Sequence, residues 1–120
     1  PPSACAAVLA CIEILRAEPE RRERLWAHGR RMRRDLKGLG FDVGAAEAPI
    51  VPVIIGGDLQ TFAFWRRLYE GGVFANPVIS PAVPENSARI RTSYIATHTA
   101  DQLDFVLDVF DNVGKHMGVI

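Results

Sequence analysis

The chain has 120 residues, of which 48% are hydrophobic and 23% are charged, and its formal net charge is zero. This length allows one domain at most, and the composition is typical of a globular protein. Because 14 basic residues balance 14 acidic ones, no overall field attracts nucleic acid or an anionic membrane. We therefore expect no nucleic-acid partner.

The first segment, residues 4–15, is apolar on nearly every face and predicts a buried helix. Ser3 could cap this helix, and Glu13 is the one charged residue within it. The segment is too short to span a bilayer. Such a helix needs burial on all sides, which a chain of this size can hardly supply, so we expect a partner surface on another domain or subunit. The start at Pro1-Pro2, without Met, suggests an internal cut.

Two cysteines, Cys5 and Cys11, lie in this apolar segment. A helix would place them on different faces, and two cysteines make no disulfide framework. We interpret both as reduced core residues and expect a cytoplasmic protein. No signal peptide is recognisable.

A second helix is expected from about Pro19 to Lys37, within a strongly basic stretch. Residues 16–37 hold nine basic and four acidic side chains. One interpretation is a free-standing interaction module that binds nucleic acid or an anionic surface through this helix. The other, which we favour, is a solvated helix face with i,i+4 ion pairs such as Glu20–Arg24.

Four segments have the pattern of strands. Short strands are expected at residues 41–44 and 73–75, where apolar residues lie between turn signals. Residues 50–55 are expected to form a buried strand, and Pro52 favours an edge or a bulge there. Residues 89–95 alternate in polarity and predict a further strand.

Two more helices complete the predicted order. Asp58 could cap a helix that runs to about Tyr69. Thr99 and Gln102 match a capping box that opens a last helix, to about His116. The order α-α-β-β-α-β-β-α predicts an α+β fold, an α/β two-layer sandwich with helices packed on a small, mostly antiparallel sheet.

The sequence contains no familiar catalytic or metal-binding signature. It has no glycine-rich phosphate loop, no C-x-x-C motif and no G-x-S-x-G elbow. His28, His98 and His116 lie far apart without ligand spacing, so we expect no metal site. His98 could act as an acid or base, but such a residue more often supports the turn between a strand and a helix.

The pair Arg89 and Arg91 is the strongest local feature. Strand alternation sends both guanidinium groups to one face, with Ile90 and Thr92 on the other. An arginine on a rigid strand can bind a carboxylate through two parallel charge-assisted hydrogen bonds. From spacing alone, an exposed arginine or a structural ion pair is the commoner explanation.

The loop at residues 76–86 leads into that strand and contains three prolines. These fix φ and hold the segment extended. Ile79, Ser80, Pro81 and Pro84 are therefore candidates for lining a pocket, although a rigid connection between two strands is the commoner role of such a loop.

Two neighbouring motifs, ARIRT at residues 88–92 and ATHT at 96–99, resemble the α-oxoamine synthases, a family of pyridoxal-phosphate-dependent enzymes. Each motif is weak alone, but order and spacing together are fairly specific, and the resemblance covers essentially the whole chain. Further segments fit the same family: residues 1–2, 23–26, 49–53, 72–74, 81–84 and 113–120.

The resemblance implies a homodimeric fold-type I enzyme that joins an amino acid to an acyl-CoA. Pyridoxal 5'-phosphate (PLP) is its cofactor, and a large domain absent from this chain would supply the Schiff-base lysine. Lys37 and Lys115 stand in the wrong contexts to replace that lysine. Residues 1–120 would then be the C-terminal small domain, inactive alone, in which Arg91 matches the family arginine that binds the amino-acid carboxylate.

One departure from the family pattern favours a subgroup. Some members carry a second arginine just before the Pro-Ala-x-Pro loop, where this chain has Ile79 and Ser80. The glycine C-acetyltransferase type also lacks this second arginine, and its C-terminal residues resemble those of this chain. We therefore expect a glycine C-acetyltransferase-like member.

Overall fold

The computed structural model describes residues 1–45 and 47–120. Within them, four helices and three strands form a two-layer α+β sandwich, as the sequence predicts. The helices are α1 (Pro2–Ala17), α2 (Pro19–Leu39), α3 (Asp58–Glu70) and α4 (Ala100–His116), and the strands are β1 (Ile50–Gly56), β2 (Asn76–Val78) and β3 (Ala88–Ser93).

The sheet is antiparallel throughout and has the order β1-β3-β2. β3 is therefore the central strand, and β1 and β2 are the edges. Pro52 lies in the edge strand β1, where its missing N–H costs the sheet little. This arrangement confirms the edge position that Pro52 predicts.

Helices cover one face of the sheet and leave the other open. Val51, Val53 and Ile90 are fully buried in the core, whereas the residues that alternate with them are partly or fully exposed. α2 and α3 contact the sheet directly, and α4 packs on α2 and α3. Burial of the apolar side chains between the two layers supplies most of the stabilisation.

Three phenylalanines from different parts of the chain meet at the centre of the core. Phe41, Phe64 and Phe110 have ring centroids 5.8–6.0 Å apart, two of the three pairs being edge to face. This geometry is favourable for aromatic rings. The cluster links α3, α4 and the segment after α2 into one core.

The first helix projects from this core. None of the residues of α1 is buried, and Leu9 is 63% exposed. Its only neighbour among the elements in the described part of the chain is α2. The radius of gyration is 16.2 Å, against roughly 13.5 Å for a compact chain of this length, because α1 extends outward. None of the helices in residues 1–45 and 47–120 is long and apolar enough to cross a membrane.

Two expectations about this helix are wrong. Cys5 and Cys11 are exposed rather than part of the core, because nothing in the described chain covers α1. Ser3 does not cap the helix, which already begins at Pro2 with Pro1 at the N-cap position.

Other boundaries also differ from those expected, and β3 ends at Ser93 rather than at residue 95. Asp58 is the first residue of α3, and Gly57 is its N-cap. Residues 41–44 form only an isolated bridge between Asp42 and Ile54, because Gly44 turns away with a φ of 61°. Residues 73–75 are no strand, since pairing with β3 begins at Asn76.

Candidate functional site

Arg91 lies on the open face of the sheet. Its neighbours Ile90 and Thr92 are buried against the helices, whereas Arg91 is exposed, as strand alternation predicts. β3 is paired on both sides, so the backbone that carries Arg91 is held by two ladders of hydrogen bonds. The guanidinium group therefore extends from a rigid base towards the side that the helices leave uncovered.

The two cross-strand neighbours of Arg91 differ in chemistry. Pro52 of β1 is in register with it on one side, and Asn76 of β2 is in register on the other. Directly opposed residues point to the same face, with Cβ atoms about 4.5–5.5 Å apart. Arg91 thus stands between an apolar ring and a side-chain amide. The sequence did not single out Asn76, because its position depends on the register of the β2–β3 pair.

Arg89 occupies the same face two residues earlier but is tied to the backbone. Its Nε donates a hydrogen bond to the Ser87 carbonyl oxygen at 2.9 Å. Within residues 1–45 and 47–120, the side chain of Arg91 forms no hydrogen bond or ion pair. Of the two arginines, Arg91 is the more exposed, and it has no hydrogen-bond partner within the described residues.

The proline-containing loop connects β2 and β3 at the Val78–Arg89 end of the pair. The Ser80 N–H lies 3.4 Å from Oδ1 of Asp58, which ties the loop to the start of α3. Ser80 also lines a shallow cavity of about 410 Å³ with Asp58 and Asn86. The structure places Pro81 and Pro84 on the exposed surface of this loop and leaves Ile79 partly buried.

The Asn76–Arg91 pair lies at the opposite end of β2 from that loop. The structure therefore does not bring Ile79, Ser80, Pro81 or Pro84 directly against Arg91. Their role as pocket-lining residues remains a prediction.

A second cavity, of about 510 Å³, lies where β3 ends and α4 begins. Tyr94, His98, Phe74 and Phe105 are among its lining residues. The Tyr94 hydroxyl is buried without a hydrogen-bond partner among the described residues. The hydroxyl of the nearby Thr92 donates to the Val51 carbonyl oxygen. Burial raises the pKa of Tyr94 to about 12, while the nearby Thr92 lowers it in part.

His98 supports the turn that precedes α4. Its Nδ1 accepts a hydrogen bond from the Ile95 N–H at 3.3 Å, and its ring lies edge to face against Tyr94. The neighbouring Thr99 and Gln102 form the predicted capping box. These contacts confirm the structural interpretation of His98.

Several arginines of the basic helix have partners within the chain. Arg31 forms ion pairs with Asp35 and Asp104, and Arg33 donates to the carbonyl oxygens of residues 43 and 44. The expected Glu20–Arg24 pair does not appear among the ion pairs of the described chain. The contacts that do form connect α2 to the rest of the fold and favour the structural interpretation of these residues.

Within residues 1–45 and 47–120, neither lysine lies on the face of the sheet that carries Arg91. Lys37 is exposed on α2, and Lys115 on α4 forms an ion pair with Asp111 at 2.7 Å. Both helices lie on the side of the sheet opposite to Arg91, α2 in contact with β1 and α4 packed on α2 and α3. These residues do not fit the Schiff-base position. In the described ranges, no three His, Cys, Asp or Glu side chains are grouped as metal ligands.

The sequence is similar to known enzymes over its whole length. The family model described as "Aminotransferase class I and II" matches residues 1–110. An 8-amino-7-oxononanoate synthase from Thermoanaerobacter pseudethanolicus is 43% identical over all 120 residues, which are 30% of that relative's length. A Thermus thermophilus relative named 8-amino-7-oxononanoate synthase/2-amino-3-ketobutyrate coenzyme A ligase is 42% identical, again over 30% of its length.

Solved structures share the fold as well. A serine palmitoyltransferase from S. paucimobilis, with a bound PLP–myriocin aldimine, matches 100% of this chain with a TM-score of 0.94 and 35% identity, over 31% of its own chain. The 8-amino-7-oxononanoate synthase from Francisella tularensis matches 95% of this chain with a TM-score of 0.76, and at 18% identity it supports the fold alone.

The chain spans about 30% of the length of the curated relatives that it matches. The family model covers most of this chain, and the relatives and the serine palmitoyltransferase structures agree with it. The chain therefore belongs to the aminotransferase class I and II family and, within it, to the α-oxoamine synthases.

Proposed function

We propose that this chain is the C-terminal small domain of a PLP-dependent acyl-CoA:amino-acid C-acyltransferase. In this proposal Arg91 binds the carboxylate of the amino-acid substrate, and residues outside the chain bind the cofactor. The whole enzyme is a cytoplasmic homodimer, and the chain alone is inactive. The family membership and the names of the relatives support this assignment.

One observation carries the role of Arg91. Its guanidinium extends from the central strand into the face that the helices leave uncovered, without a competing partner in the described chain. A bound carboxylate would receive two parallel hydrogen bonds from this planar group. Because β3 is paired on both sides, the group starts from a fixed position, which is what orientation of a small substrate requires.

PLP, when bound, provides an electron sink for a carbanion at the α-carbon of the amino acid. The contribution of this chain is to hold the carboxylate of the amino acid in a fixed position. A hydrogen bond to a charged group is worth about 1.5–3 kcal/mol, and a bidentate pair forms two of them. Removal of the guanidinium would therefore weaken amino-acid binding by roughly a hundredfold or more.

We further propose glycine as the amino acid and a short acyl-CoA as the donor. Ile79 and Ser80 stand where some members of the family carry a second arginine. The Thermus relative whose name includes 2-amino-3-ketobutyrate coenzyme A ligase is compatible with this choice. Glycine offers no side chain for recognition, so its carboxylate and amine are its main points of attachment. Comparison of kcat/KM for glycine, alanine and serine would decide which of these amino acids the enzyme uses.

The test uses the full-length enzyme with Arg91→Ala. We expect the amino-acid KM to rise by about a hundredfold, because the carboxylate loses both charge-assisted hydrogen bonds. The PLP content and the KM for acyl-CoA should stay the same. Steady-state kinetics and the visible absorbance of the cofactor measure these quantities.

Arg89→Ala is the matched control. It removes the same side chain from the same face of the same strand, but from an arginine that is tied to the Ser87 carbonyl oxygen. We expect its amino-acid KM to change by less than about threefold. An unchanged amino-acid KM in Arg91→Ala would remove Arg91 from the substrate site.

A further inference from the structure

The position of Asn76 suggests a role that strand propensity does not explain. Asn is disfavoured in strands, yet Asn76 opens the edge strand β2, directly opposite Arg91. Its side chain is exposed and points to the open face of the sheet, as that of Arg91 does. A residue whose intrinsic preference disagrees with the secondary structure that it occupies is typical of a functional position.

The guanidinium of Arg91 has more donors than a substrate carboxylate can use. Arginine carries five N–H groups, and a bidentate carboxylate accepts from two of them. The remaining donors need acceptors once a substrate excludes water from this face. An acceptor beside the side chain would also fix its rotamer and thereby hold the two terminal donors in one direction.

Asn76 is the cross-strand neighbour that can supply this acceptor. The partner on the other side is Pro52, and the diagonal partners in the paired strands are Ile50, Ile54 and Val78. Within the described sheet, none of these four has a polar side-chain atom. At a Cβ–Cβ separation of about 4.5–5.5 Å, the amide oxygen of an asparagine can reach the Nε–H of an arginine that lies across its strand.

We infer that Asn76 is a positioning residue for Arg91: its amide oxygen accepts a hydrogen bond from Nε of Arg91 and directs the guanidinium towards the substrate carboxylate. This inference rests on the proposed function. The hydrogen bond is not present in the structure, and it forms when a carboxylate occupies the terminal donors. Catalytic hydrogen bonds commonly tighten in this way on substrate binding.

The inference is tested with Asn76→Leu in the full-length PLP enzyme. Leucine has a similar size but no acceptor, so the amino-acid KM should rise by about tenfold, while kcat and the acyl-CoA KM change by less than about twofold. Titration of the amino acid, followed by the cofactor absorbance, should show the same loss in Kd. Because Asn76 is exposed on an edge strand, the variant should unfold at the same denaturant concentration as the parent protein.

Two further variants separate a positioning role from a merely structural one. Asn76→Gln retains an amide oxygen and should recover most of the lost affinity. In the Arg91→Ala background, Asn76→Leu should have no further effect, because the residue acts through the arginine. Additive effects of the two substitutions, or equal losses with Leu and Gln, would overturn the inference.

The two proposals fail in different ways. If Arg91→Ala leaves the amino-acid KM unchanged, the proposed function of Arg91 is wrong, and the role of Asn76 is wrong with it. If Arg91→Ala raises the KM by about a hundredfold but Asn76→Leu leaves it unchanged, only the role of Asn76 is wrong.

Discussion

Tyr94 has a hydroxyl group that is costly to ionise in the folded chain. Burial raises its pKa from 10.0 to about 12. As the pH rises above 10, the unfolded chain releases this proton first, so the free energy of unfolding falls until the folded pKa is passed. Below pH 10 the group makes no pH-dependent contribution. The full shift corresponds to about 3 kcal/mol of stability, of which about 2 kcal/mol is lost by pH 12 and the rest above it.

We expect Tyr94→Phe to remove this part of the alkaline loss of stability. At pH 7 the substitution should be neutral or stabilise by up to about 1 kcal/mol, because it removes a buried hydroxyl that lacks a hydrogen bond in the described chain. Denaturant unfolding at pH 8, 10 and 11.5 measures the effect. Tyr69→Phe is the control, since Tyr69 is 59% exposed. An identical pH dependence for parent and Tyr94→Phe would contradict this account.

Residues whose role follows from alternation were predictable from the sequence, and residues whose role follows from register were not. Strand alternation alone assigned Arg91 to the face opposite Ile90 and Thr92. Asn76 became a candidate only when the pairing of β2 with β3 was known. Nothing in the sequence fixes that register, because β2 has three residues and no side-chain pattern long enough to choose a partner.

Two helical glycines have opposite environments. A Cβ atom at Gly114 of α4 would lie 2.6 Å from Cζ of Phe41 and 2.9 Å from Ile120, inside the aromatic core. A Cβ atom at Gly38 of α2 would have no neighbour within 4 Å in the described structure. Alanine is normally the better helix former by about 1 kcal/mol, so only packing distinguishes the two positions.

We expect Gly114→Ala to destabilise the chain by about 1–3 kcal/mol, because the added methyl overpacks the core. Gly38→Ala should be neutral or stabilise by up to about 1 kcal/mol. Urea unfolding of both variants beside the parent measures the difference. If the urea midpoints of both variants shifted by similar amounts in the same direction, the core around Phe41 would be able to accommodate the added methyl group.

Long helices were predictable from the sequence because each carries its own signals. The capping box at Thr99 and Gln102 and the glycine at position 40 set the ends of α4 and α2 close to where they were expected. The short strand segments carried weaker signals. Val73 and Ala75 are buried as a strand would be, but they lie in the connection before β2, and their burial arises from tertiary packing rather than from pairing.

Two surfaces of the molecule remain without a cover in the described chain, and they differ in character. The open face of the sheet is mixed, with Arg91 and Asn76 among apolar residues of β1. The surface of α1 is apolar on nearly all sides, and its exposed residues include Val8, Leu9, Ile12, Ile14 and Leu15. A contiguous apolar patch of this kind is typical of a surface that another polypeptide covers.

We expect the 120-residue chain by itself to associate through α1. Burial of apolar surface contributes about 25 cal/mol per Å², so contact between two copies of this helix is favourable. Leu9→Glu places a charge on that surface and should shift the chain towards monomer in sedimentation or sizing experiments across a range of concentrations. Leu59→Glu is the matched control, because Leu59 is 87% exposed on α3, away from the α1 patch, and should leave association unchanged. A parent chain that is monomeric at every concentration would show that α1 does not promote association.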